Sequence, residues 1–170
     1  MDTHVRFKDL SVVYTNNPVC VENSIHTMEK LLADDKYKVV NIILEYTDSR
    51  TGHDQKVAIA QLCVDHYVLV YHYYLATRPC ERFAKFVNNP DYIFSTMDTT
   101  NDEKVLKTTG LAYRNLVDIQ CRYKILSGED KHKDSLIDLA MDVIDPCYKH
   151  EGCLQEEERF LAPCLGQKTG

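Results

Sequence analysis

Residues 38–73 read KVVNIILEYTDSRTGHDQKVAIAQLCVDHYVLVYHY, and this stretch decides the fold. Lys38–Tyr46 (KVVNIILEY) is rich in β-branched and apolar residues on both faces, the pattern of a strand in the middle of a sheet. A polar loop, TDSRTGHDQ, leads to a second apolar run, Lys56–Val64 (KVAIAQLCV). Asp65-His66 is a short link to a third, Tyr67–Tyr73 (YVLVYHY). Three strands with short links predict an antiparallel meander.

Upstream of the meander, His4–Tyr14 alternates as a first strand. Asn17-Pro18 reads as the N-cap and first position of a helix, since proline loses no useful N–H there. Val21, Ile25, Met28, Leu31 and Leu32 recur at helical spacing and carry that helix to about Ala33. Downstream, Pro79 opens a helix bearing Phe83, Phe86 and Val87, and Tyr92–Met97 is a short strand. Thr99 or Thr100 caps a helix with Val105 and Leu106 facing inward, and Gly110 ends it. Asn115–Gln120 reads as a further core strand. Asp134–Ile144 is amphipathic, with Leu136, Leu139, Ala140 and Val143 on one stripe. The expected class is α/β: a mixed five-stranded sheet, meander first and alternating α and β after it, with helices on both faces.

The 170 residues, 44% hydrophobic and 27% charged, fit a single globular domain. A net charge of −6 excludes a generic basic coat for nucleic acid. Residues 1–128 hold 15 Lys and Arg against 16 Asp and Glu, a net of −1, whereas residues 129–170 hold 5 against 10, a net of −5. The expected organisation is a domain over 1–145 and an irregular acidic tail over 146–170. No secretory pattern opens the chain, and its longest apolar runs fall far short of the ~20 residues of a membrane span. With seven cysteines in no tight framework, reduced thiols and an intracellular protein of nucleus or cytoplasm, without membrane contact, are expected.

Two acids sit where chemistry is done. Glu45 closes the apolar strand VVNIILE on the row of Val39, Asn41 and Ile43. A carboxylate beside a buried sheet costs several kcal/mol unless it is hydrated, paired or bound to a cation. The plain alternative is that the strand surfaces there and Glu45 meets water. Asp102 lies in the first turn of the helix after YIFSTM, where the helix dipole alone favours an acid.

KVVNIILEY, KVAIAQLCV with its Gln61-Leu62, the segment DEKVL with Asp102, Lys104 and Leu106, and Leu136 in SLIDLA together resemble 3′–5′ exonucleases of the ribonuclease H-like superfamily. The likeness is to the Werner-exonuclease-like, DEDD-type branch with its small plant members, and it covers roughly residues 5–145. It implies a ribonuclease H-like fold and hydrolysis of phosphodiesters from DNA or RNA 3′ ends. It also implies four carboxylates around two Mg²⁺ or Mn²⁺ ions, which activate water and stabilise the leaving oxygen. Glu45 and Asp102 match two of those acids, as catalytic residues and metal ligands. Ile43 stands where the family has its first Asp and cannot ligate a metal. Asn41, two residues earlier on the same row, is ~6.6 Å along the strand and neutral, a poor substitute. The family's late Tyr-x-x-x-Asp helix has no counterpart, for Tyr148 is followed by Glu151 and Gly152. Relative to the family the chain reads as degenerate and C-terminally truncated, with Mg²⁺ or Mn²⁺ weakly bound or absent.

Lys104, Lys107 and Arg114, with Arg122 and Lys124 beyond, are the phosphate-contact candidates. Cys147, His150, Cys153 and Cys164 carry zinc-type ligands at a spacing that matches no standard site. His53 and His66 read as solvated loop histidines. Tyr71, Tyr73 and Tyr74 suggest base stacking, against the simpler reading of a packed strand face. Two functions follow: a nucleic-acid-binding exonuclease relative with impaired catalysis, or a protein-interaction scaffold on the same fold, with a mispredicted gene end as a further explanation of the missing helix.

Overall fold

A computed structural model, which describes residues 3–7, 10–47, 55–97, 99, 102, 105–106, 109–128, 135–144 and 146, has the stretch 38–73 as three antiparallel strands. These are β3 (Val39–Tyr46), β4 (Val57–Val64) and β5 (Tyr67–Tyr71). Asp65, at φ 52°, makes the tight link between β4 and β5, a left-handed position that Asp tolerates better than most residues. Before them stand β1 (Thr3–Phe7) and β2 (Leu10–Thr15), an antiparallel pair; β2 then runs parallel to β5. β6 (Ile93–Thr96) lies parallel to β3, and β7 (Leu116–Asp118) parallel to β6.

Among the described residues the sheet therefore has seven strands in the order β1-β2-β5-β4-β3-β6-β7, two more than the five expected. The difference arises first in the segment 4–14, which forms the two strands of a pair rather than one. The mixed character, meander first and alternation after, is as read. Parallel neighbours need a crossover, and helices supply it. α1 (Pro18–Leu31) joins β2 to β3, and α2 (Glu81–Val87) joins β5 to β6. Helical residues at 99, 102, 105, 106 and 109 join β6 to β7.

Local chemistry explains these elements. The Asn17 side chain accepts from the Val19 N–H at 3.0 Å, with Pro18 at the first helical position, so the expected N-cap of α1 is present. Val21, Ile25, Met28 and Leu32 are buried against the sheet and α2. Phe83, Phe86 and Val87 of α2 complete that layer, as do Val105 and Leu106. Each such side chain contributes about 1.5–3 kcal/mol on leaving water. Gly110, at φ +76°, takes the left-handed turn that stops the helical residues before it.

β3 is central, between β4 and β6, but only one of its faces is buried. Val40, Ile42 and Leu44 point into the core; Val39, Asn41, Ile43 and Glu45 are exposed. The central place read from its two apolar faces is the place it has. Apolar composition on both sides of a strand marks its place in the sheet without guaranteeing cover on each side.

Met1–Ile119 and Gln120–Gly170 are two compact units. The second holds most of α3 (Ile119–Ser127), a helix that begins where a strand was expected to continue to Gln120, and α4 (Leu136–Val143). Ser135 caps α4: its Oγ accepts from the Asp138 N–H at 3.1 Å and donates to the Asp138 carboxylate at 2.8 Å. The Tyr123 hydroxyl of α3 donates to Asp142 of α4. The stripe read for this helix is largely uncovered: Leu139 is buried, while Leu136 and Val143 are exposed. Apart from Pro146, the expected tail 146–170 lies outside the described residues. No helix among the described residues is long and apolar enough to cross a membrane.

Candidate functional site

β2, β5, β3, β6 and β7 all run the same way, so Thr15, Tyr71, Tyr46, Thr96 and Asp118 end on one edge of the sheet. In open α/β sheets, ligands bind outside the carboxyl ends of such strands. Both sequence-predicted acids lie along this edge. Glu45 is the penultimate residue of β3, opposite Ile59 of β4, and is exposed. Tyr46 follows Val40, Ile42 and Leu44 on the core row of β3 and packs against the core, so it and Glu45 point to opposite faces of the sheet; the register with β4 shifts between them.

Asp102 is buried, only 6% exposed. The Tyr46 hydroxyl donates to one carboxylate oxygen of Asp102, and the Thr96 hydroxyl lies 3.4 Å from the other. Asp118, at the end of β7, accepts from the Thr99 N–H at 3.1 Å and from the Thr99 hydroxyl at 3.3 Å. Burial, and next the Asp118 carboxylate, push the Asp102 carboxyl up to about 6. Asp102 is thus a buried hydrogen-bond hub joining the ends of β3 and β6 on the core side, while Glu45, on the exposed row of β3, is in water.

Sequence reasoning missed Tyr46, Thr96, Thr99 and Asp118. One of them was open to discovery: Asp118 closes the apolar run NLVD as Glu45 closes VVNIILE, and the same question of why an acid ends a core strand applies. Tyr46 and Thr96 carried no such signal, because their partner is remote in the chain.

The remaining candidates separate. Arg114 precedes β7, and its Nε donates to Asn88 at 3.3 Å, which places it at the start of β6 and β7, the opposite end from Thr96 and Asp118. Lys104, Lys107, His53 and the set Cys147, His150, Cys153 and Cys164 lie outside the described residues. His66 sits in the β4–β5 turn, its Nδ1 2.6 Å from Asp65. Of the three tyrosines, Tyr71 is fully buried and packs edge-on against Tyr73 and Phe83, and Tyr73 meets Phe83 at a tilt. Tyr74 is exposed. Among the described residues, no three His, Cys, Asp or Glu side chains gather closely enough to hold a metal ion.

No protein-family model and no curated protein sequence matches the chain. Solved structures do resemble it. The EXO domain of Aedes aegypti Nibbler superposes with a TM-score of 0.57 at 12% identity, over 83% of this chain and 71% of that one. The catalytic core of RRP6 from Trypanosoma brucei gives 0.63 at 15% identity, over 84% of this chain but 37% of that one. The EXD2 exonuclease domain gives 0.56 at 15% identity, over 79% and 70%, and its crystals have also been soaked in Mg and GMP and in Mn and GMP. The chain shares the fold of these exonuclease domains.

Proposed function

We propose that the chain is a nucleic-acid-binding domain on the 3′–5′ exonuclease fold, with metal-dependent hydrolysis impaired. Single-stranded DNA or RNA ends are its partners. The observation that carries this reading is Ile43: it stands on the exposed row of β3, two residues before Glu45, where the family resemblance calls for a metal-bridging Asp.

Mg²⁺ or Mn²⁺, if bound, would supply water activation and charge neutralisation at the leaving oxygen. Glu45 and Asp102 remain the acids to hold such an ion, but the donor set does not fit a two-ion centre. Ile43 offers no ligand atom. The carboxylate oxygens of Asp102 face hydroxyls of Tyr46 and Thr96, and burial favours its neutral form. A cation would have to recruit an acid that is already desolvated and already bonded, and hard cations need several free oxygens.

A scaffold role is favoured by one observation of its own: Val39 and Ile43 present apolar side chains, 39% and 48% exposed, on the same row. An end-labelled single strand tests both readings. The expected result is binding that weakens with salt, with no 3′ trimming in Mg²⁺ or Mn²⁺. Processive trimming that disappears in Glu45→Ala would overturn the impairment, and no binding even at low salt would leave the scaffold.

A further inference from the structure

The turn after β5 has a different character from the strand that precedes it. Tyr74 is 61% exposed and Leu75 60%, two large apolar side chains in succession. Neither is loosely held. The Tyr74 N–H donates to the Ala58 carbonyl at 3.1 Å, the Ala76 N–H to Tyr73 at 3.2 Å, and the Asn16 side chain to the Leu75 carbonyl at 3.3 Å. A fixed turn thus holds an aromatic ring and a leucine side by side in water.

Its position gives the contact a chemistry. Ala58 lies in β4 between Val57, the register partner of Tyr46, and Ile59, the partner of Glu45. One strand, β4, therefore separates the Tyr74 turn from the Glu45–Tyr46 end of β3, a gap of roughly 10 Å at ordinary strand spacing. Two exposed cations lie close to the turn along the chain and the ladder: Lys56 is two residues before Ala58, the partner of Tyr74. Arg78 follows Tyr74 by four residues, and Lys56 precedes β4, its carbonyl accepting from the Thr47 N–H at 2.9 Å. Glu45, exposed at the end of β3, repels phosphates. Phosphates are favoured near Lys56 and Arg78, and a base is then brought to Tyr74. Aromatic rings beside cations are the general means of holding single strands without reading their sequence.

We infer that Tyr74, with Leu75 beside it, is a stacking platform for a base of a single-stranded nucleic acid, with Lys56 and Arg78 contacting its backbone. This rests on the nucleic-acid-binding reading above and names the side chain that would contact the base. It also divides the three tyrosines by role: Tyr71 and Tyr73 build the core, and Tyr74 meets the ligand.

The test is binding of labelled oligonucleotides of about 12 nucleotides, in deoxy and ribo forms, across a salt series. Tyr74→Ala is expected to weaken binding roughly 5- to 100-fold with the salt slope unchanged, and Tyr74→Phe to bind as the parent does. Lys56→Ala is expected to reduce the slope by about one phosphate contact. The chain has no tryptophan, so Tyr74→Trp provides a single indole, and its emission is expected to be quenched on binding. If the parent binds but Tyr74→Ala binds equally well and the indole is unaffected, the platform is wrong and the nucleic-acid reading stands. If the parent does not bind at low salt, both are wrong. Unchanged unfolding midpoints in the variants exclude misfolding as the cause of a loss.

Discussion

Asp102 concentrates the physics of the site in one side chain. Its carboxyl titrates near 6 in the folded chain, because burial and the neighbouring Asp118 disfavour its charge, against 3.8 when unperturbed. The folded state therefore holds this proton more tightly than the unfolded chain does. The stability it contributes is fully present below about pH 3.8 and is lost as pH rises through about 6, above which the contribution is flat. Asp102→Asn keeps an oxygen for Tyr46 and removes the charge. It is expected to flatten this part of the stability profile and to gain on the order of 1–3 kcal/mol at pH 7. Urea unfolding of both proteins at pH 4, 5 and 7 checks this, and parallel profiles would refute it. Glu45 and Asp102 were both visible in the sequence as acids in unusual places. What distinguishes them, one in water and one bonded inside, was not, since the Tyr46 donor lies 56 residues from Asp102.

At the scale of elements, α1 was legible almost to the residue. Its cap, its first proline and its apolar spacing are all local signals, and the helix they predict is the helix present. Asn17→Ala removes the oxygen that accepts from the Val19 N–H. It is expected to cost about 1 kcal/mol, seen as a lower urea midpoint at unchanged slope. A midpoint equal to the parent's would mean that Pro18 alone sets the start. α3 was not legible. IQCRYKILS has no clear apolar stripe, and none of its residues is buried. Its start was hidden because β7, in pairing with β6, stops at Asp118.

At the scale of the whole molecule, burial among the described residues is concentrated in the first unit. β3, β4 and β5 supply many of the fully buried side chains, whereas Leu139 is the single buried hydrophobic residue of α3 and α4. Short helices with little burial are marginal in water. Hydrogen exchange is expected to find the amides of β3–β5 protected at least about 100-fold more than those of α3. Equal protection would show that the second unit shares the cooperative core. By itself the sequence determined the meander, the capped helix, the alternation that follows and the two acids at strand ends. Each is written in periods of two or 3.6 residues, or in one residue's cost of burial. Only the tertiary structure decided which face of β3 stays in water, which hydroxyls close on Asp102, and which of three neighbouring tyrosines is exposed. Those outcomes depend on partners brought together from distant parts of the chain, and a local period carries no information about them.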